Sequence, residues 1–247
     1  MIKAIFEHRS IRKYKETAID ENLLEEILEA GIRASNTGNM QVYSIIVTKD
    51  KDIREKLWEQ HFKQNMVKQA PVILTFCADF NRFNKWCEYR NAKPGYDNFL
   101  SFFTASVDAV IAAQNVALQA EEAGLGICYL GTVNYTADKI IDILELPKGV
   151  VPVTTLVLGY PDENPPLSPR LPARAVIHRE KYSDFTEAEI NEIYKETENS
   201  DFTKQLIKEN QTENLAQIFT QKRYTEKNNV HFSELLLNVL KKQGFLN

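Results

Sequence analysis

The sequence predicts an α+β, or three-layer, protein in which a sheet is packed between helices. Three observations carry this. Short apolar, β-branched runs are interspersed with longer segments of 3.6-residue periodicity. One helix candidate, residues 98–123, is apolar on nearly every side. The composition, 43% hydrophobic and 26% charged over 247 residues, is that of a globular chain able to bury a core.

The elements follow in order. Residues 20–34 place Leu23, Leu24, Ile27, Leu28 and Gly31 on one helical face, with Asp20 placed to cap the start. Val42–Thr48 reads as a buried strand, a helix follows from Asp52, and Pro71 opens a second strand, Val72–Ala78. Residues 80–103 hold eight of the chain's 25 aromatics, as core packing or as the wall of a pocket. In residues 98–123, Leu100, Phe103, Val107, Val110, Ile111, Ala113, Val116, Ala117, Leu118 and Ala120 nearly encircle the axis. Such a helix must be buried all round, inside one subunit or in a large apolar dimer interface. Asp108, Gln114, Asn115 and Gln119 exclude a membrane span. Gly124 and Gly126 end this helix, and a short apolar stretch, Ile127–Leu130, follows. Thr136–Leu146 is a helix stopped by Pro147 and Gly149, and Val151–Leu158 a strand ended by Gly159. Residues 161–172 carry five of the nine prolines, a stiff extended surface segment. From about Ser183 the chain is charged and weakly patterned until Val230. There a last helix gathers Leu235, Leu236, Val239 and Leu240 and ends near Gly244.

Several function classes are disfavoured. A net charge of −4 without a basic run gives no reason to expect nucleic acid. The N-terminus turns polar too early for a signal peptide, and no run of eighteen uncharged apolar residues suits a membrane. Three sparse cysteines argue against a disulfide framework or zinc, and for a reducing, cytoplasmic setting. The four histidines lack ligand spacing, so no metal is expected. No G-x-S-x-G, H-E-x-x-H, Walker loop or G-x-G-x-x-G is present. An enzyme-like core without nucleophile or metal suggests a cofactor that does the chemistry.

Two segments suit an organic phosphate. His8-Arg9-Ser10-Ile11-Arg12-Lys13-Tyr14 supplies two planar, permanently charged forks with a hydroxyl between them. In Ser168-Pro169-Arg170-Leu171-Pro172, prolines hold one arginine in a fixed direction. Each is weak alone. Together with Ser35–Gln41, Phe76–Arg82, Gly124–Gly131, Leu158–Pro161 and the terminal Leu240–Phe245, they resemble the nitroreductase superfamily, in its oxygen-insensitive NADPH nitroreductase and NADPH–FMN flavin reductase subgroup. The resemblance runs from residue 7 to about 182, thins to about 228 and returns at the C-terminus. Two departures stand out. Ser168 replaces a usual lysine, weakening a phosphate site by one charge. Gly131-Thr132 replaces a Gly-Gly pair, narrowing the backbone near a flavin.

The resemblance implies one nitroreductase-like domain over residues 1–247, with a C-terminal excursion from about 183 able to wrap a partner subunit. It implies a mostly antiparallel central sheet flanked by helices, in an interlocked homodimer with FMN at the interface. Arg9 and Arg170 would then hold the 5′-phosphate, Ser10 the phosphate or ribityl chain, and Arg12 the N1–O2 side of the ring, with His8 in the same binding set. Gln64 would meet the pyrimidine edge, and Tyr129, Leu130 and Gly131 would offer backbone groups to O4 and N5. Thr37, Asn39 and Gln41 would complete the cleft from the other subunit. No side chain is expected to act as acid or base. Electrons would pass from NADPH, or NADH, to a small-molecule acceptor such as a nitroaromatic, a quinone or free flavin, by a ping-pong mechanism. A flavin-binding sensor without turnover is the alternative.

Overall fold

Four strands, β1 Tyr43–Thr48, β2 Val72–Asp79, β3 Gly126–Leu130 and β4 Val150–Gly159, form one antiparallel sheet in the order β1-β2-β4-β3. The computed structural model describes residues 1–246. Around the sheet stand α1 Lys3–Glu7, α2 Glu21–Ile32, α3 Lys51–Gln60, α4 Asn65–Gln69, α5 Asn81–Glu88, α6 Phe99–Glu122 and α7 Ala137–Ile143. β2 is buried along its whole length, as a strand covered on both faces must be. Its alternation sorts the core. Leu74 and Phe76 join Leu24, Ile27, Ala113 and Val116, whereas Ile73 joins Leu57, Val67 and Ile140. So α2 and α6 cover one face, and α3, α4 and α7 the other. The α+β and three-layer descriptions fit the same object.

The local signals do the expected work. Asp20 accepts from the amides of Asn22 and Leu23 and starts α2. Gly124, at φ +81°, takes the left-handed turn just beyond α6. The aromatic segment divides: Phe80 is buried and stacks on Tyr96 with centroids 5.0 Å apart, while Trp86, Tyr89, Phe99 and Phe103 are exposed.

α6 departs from its expected all-round burial. Ala105, Ala109, Ala112, Ala113, Val116, Ala117 and Ala120 are buried, with Asp108 among them. The small side chains let α2 approach so closely that a Cβ on Gly31 would stand 2.5 Å from Val116 Cγ2. On the opposite flank Phe99, Leu100, Phe103, Val107, Val110 and Ile111 are 38–71% exposed. One chain therefore buries only the small-residue side. By length and composition alone α6 could cross a membrane, but its buried flank and its bonded, buried Asp108 belong to a folded core.

Residues Leu167–His231 form a compact unit distinct from Met1–Pro166 and the segment from Phe232 on. Here the weakly patterned tail proves helical: α8 Glu187–Asn199, α9 Asp201–Asn210 and α10 Leu215–Gln217, running into a π-helical turn, Ile218–Arg223. The apolar pattern is faint because each element buries little, for example Ile193 in α8 and Thr203 in α9. The caps were readable. Thr186 and Glu189 form a reciprocal capping box, and Ser200 caps α9. The last helix, α11 Glu226–Gln243, begins earlier than the apolar residues alone suggest.

Candidate functional site

The N-terminal arm is laid against β3 by two buried anchors, Ile11 and Tyr14. Ser10 bridges Ile127, the Ile11 amide donates to the Ile127 carbonyl at 2.8 Å, and Tyr14 pairs with Pro161. Gly126 makes the close approach possible, since a Cβ there would stand 2.7–2.9 Å from three Ile11 carbons. With Ile11 inward, an extended arm turns Ser10 and Arg12 outward. Glu163 fixes the arm further: one carboxylate oxygen accepts from the amides of Arg12, at 2.5 Å, and Lys13, at 3.1 Å. Arg9 donates from Nε to the Pro165 carbonyl at 2.9 Å and from Nη1 to the Glu7 carbonyl at 2.8 Å, which orients its fork. The phenol of Tyr14 donates to the Ile11 carbonyl at 2.6 Å, and burial pushes its pKa well up.

His8 is turned to the end of α6, its Nδ1 2.7 Å from Glu121 Oε1. Glu121 borders a cavity of about 350 Å³ that reaches Arg9 and Glu163. Four carboxylates (Glu7, Glu121, Glu122 and Glu163) face Lys3 and Arg9 there, so the cavity does not suit a doubly charged anion. The anion-binding capacity of the arm lies in its arginine forks.

At the other end of β3 the chain leaves Leu130 and turns through a single 3₁₀ turn, Gly131–Asn134. Gly131 is exposed, and a Cβ there would meet nothing within 4 Å. Thr132, expected to narrow this edge, holds its hydroxyl 2.8 Å from His61 Nδ1. Gln64 reaches the same place, its Nε2 3.0 Å from the His61 carbonyl and 3.5 Å from Thr132 Oγ1. The segment between is held tightly: Phe62 and Lys63 are successive left-handed residues at φ +56° and +55°. Such conformations cost about 1–3 kcal/mol each and persist only where the surroundings enforce them.

His61 is fully buried, and burial pushes its pKa down to about 4. Its Nε2 has no hydrogen-bond partner among the described residues. The unfolded chain takes up this proton below about pH 6.5 and the folded chain only below about 4, so stability is complete above 6.5 and falls as pH drops between them. The expected loss across that window is about 3 kcal/mol. His61→Gln should flatten this part of the pH dependence of the urea midpoint. Identical slopes in wild type and variant would show that His61 contributes no such linkage.

Thr37, Asn39 and Gln41 stand elsewhere. Buried Asp108 of α6 accepts from the Thr37 amide at 3.0 and 3.1 Å and from its hydroxyl at 3.1 Å. Gln41 is tied to Asn36 and Asn39, and Arg82 holds the carbonyls of Gln41 and Tyr43. This turn feeds β1, whereas Ser10, Tyr129, Leu130 and Gly131 lie on or beside β3, at the opposite edge of the sheet. Three strand spacings, about 14 Å, separate the two edges. One chain thus gathers Arg9, Ser10 and Arg12 along β3 and Gln64 with Gly131 beyond its end, but not the Thr37–Gln41 turn. Arg170 belongs to the other compact unit, where its Nη1 donates to the carbonyls of Ser168 and Pro169, both at 3.3 Å. Asp108, Glu163 and His61 escaped sequence reasoning as site-forming groups because each meets its partner from 71 to 151 residues away.

Residues 5–160 match the family model described as Nitroreductase family, and the chain belongs to that family. It is 39% identical over 184 residues to an NAD(P)H FMN reductase of Bacillus subtilis, covering 74% of each chain. It is 36% identical over 186 residues to an oxygen-insensitive NADPH nitroreductase of Salmonella typhimurium, covering 75% of this chain and 76% of the other. A solved protein structure from Bacteroides fragilis superposes with a TM-score of 0.98 at 50% identity, covering 99% of each chain.

Proposed function

We propose that this protein is a homodimeric, FMN-dependent oxidoreductase that takes electrons from NAD(P)H and delivers them to oxidised small molecules such as nitroaromatics, quinones or free flavin. The observation that carries the reading is the arm: Arg9 and Arg12 pinned along β3 by Ile11 and Glu163, leading to the open edge at Gly131. The residues present fit the cofactor. Guanidinium forks match a phosphate bidentately, and both Arg9 and Arg170 carry one. Arg12 places a fixed cation for the N1–O2 side of the ring, where reduction deposits negative charge. Bare Gly131 leaves its backbone approachable, and Gln64 faces the same edge. When bound, FMN supplies the redox chemistry, receiving a hydride from the nicotinamide and passing electrons to the acceptor. The chain itself binds, orients and excludes water, with no side chain acting as acid or base. Thr37, Asn39 and Gln41, too far across the sheet to serve their own chain's site, serve that of a second copy. Three free, buried cysteines suit a reducing compartment, and we place the enzyme in the cytoplasm.

Native purification should yield a yellow protein with about one FMN per chain, since each chain brings one complete donor set. NADPH should bleach it without oxygen, and double-reciprocal plots should be parallel. Arg170→Ala should weaken FMN binding at least tenfold, because a charged hydrogen bond contributes about 1.5–3 kcal/mol and Ser168 offers no second charge. A colourless protein sinks the cofactor assignment. A yellow protein that neither NADPH nor NADH bleaches is a sensor.

A further inference from the structure

Gln64 does not choose its own orientation. The His61 carbonyl, 3.0 Å away, can only accept, so the nitrogen end of the Gln64 amide must face it. The same Nε2 lies 3.5 Å from Thr132 Oγ1, which the ring of His61 holds from the other side at 2.8 Å. In either neutral tautomer of His61 the Thr132 oxygen keeps a lone pair for Gln64. Both amide protons are thereby directed into the protein, and Oε1 is the atom left to present. His61 is fully buried and Thr132 partly so, with the intervening backbone locked at Phe62 and Lys63, so the arrangement is built in advance of any ligand.

We propose that Thr132 and His61 are positioning residues that present Gln64 to the flavin as an acceptor only, so that it pairs with the imide N3–H. The inference rests on the FMN reading above and deepens it. The pyrimidine edge of a flavin carries two carbonyl acceptors around a single donor, N3–H, and an outward amide oxygen can match only that donor. A glycine at 132 would have no hydroxyl to engage the second amide proton.

The test compares FMN with N3-methyl-FMN, which lacks the donor, by quenching of flavin fluorescence in apoprotein. Wild type should bind the methylated flavin about tenfold more weakly or worse, the cost of leaving a buried acceptor unmatched. In Thr132→Val, which keeps the shape, the His61 carbonyl still holds the nitrogen end, but the second amide proton loses its partner and is free to donate to a flavin carbonyl, so the discrimination should shrink toward unity. Thr132→Gly should behave alike, which covers the case that valine disturbs folding, and Thr132→Ser should restore the wild-type ratio. Unchanged discrimination in both the valine and glycine variants overturns the proposal, as does wild type binding both flavins equally. Wild type binding neither flavin overturns the FMN reading itself, a separate and recognisable result.

Discussion

Replacing Phe103 and Val110 of α6 together with glutamate is expected to yield a folded monomer that no longer retains FMN. Phe99, Leu100, Phe103, Val107, Val110 and Ile111 recur at the three- and four-residue spacing that lines one helical face, and all six are exposed in the single chain. A contiguous apolar stripe of this kind marks an interface. Burying each side chain contributes about 1.5–3 kcal/mol, and a carboxylate forced into the same place without a partner costs several more. Two glutamates should therefore weaken dimerisation at least about a thousandfold. The fold should survive, because neither side chain belongs to the buried flank that packs on α2 and the sheet. Sedimentation followed at flavin and protein wavelengths reads both consequences in one run. Wild type should move near twice 28.4 kDa with flavin in the same boundary. A wild-type monomer carrying stoichiometric FMN would refute both the dimer and the assignment of Thr37, Asn39 and Gln41 to a partner's site.

Gly126→Val should separate the arm from β3 and cost FMN affinity without touching any group proposed to bind it. The first added carbon would stand 2.7–2.9 Å from three atoms of Ile11, where carbon contacts settle at about 3.5–4.0 Å. Either strand or arm must shift, and the bridge from Ser10 to Ile127 and the bond from the Ile11 amide are the nearest to give way. Overpacking of this kind costs about 1–3 kcal/mol. FMN affinity should drop tenfold or more as Arg9 and Arg12 lose their common direction, the loss of one charged bond being enough. Gly131→Ala is the control: its Cβ meets nothing within 4 Å, so chain stability should stay within about 0.5 kcal/mol. Urea unfolding and FMN titration on both variants decide the matter. A Gly126→Val protein with unchanged midpoint and unchanged flavin affinity would mean that the arm is not held in the way described.

Legibility was greatest where structure is a local affair. α2 was readable because five apolar or small residues fall on one face behind a capping aspartate, and β2 because a β-branched and apolar run after Pro71, interrupted only by Thr75, suits a covered strand. The arm was readable as residue types, two arginines around a serine, but the reason that it is rigid was not. Glu163 and Gly126 do that, and nothing in their neighbourhood announces it. The helices of residues 187–223 were hidden for the opposite reason. They bury so little that hydrophobic periodicity fades, and only their caps were there to be read.

By itself, then, the sequence determined the kinds and approximate limits of the elements before about residue 160 and of the last helix, the family, and the residue types able to hold a flavin. These depend on steric preferences, capping and periodicity, which act over a few residues. The tertiary structure alone decided the strand order β1-β2-β4-β3, the opposite-edge placement of Thr37–Gln41 and the arm, the bare flank of α6 and the bonding of Gln64 through Thr132 and His61. Each of these is a relation between segments distant in the chain. Polar partners at such separations are chosen by packing register and by the need to satisfy buried groups, conditions that exist only once the layers have closed.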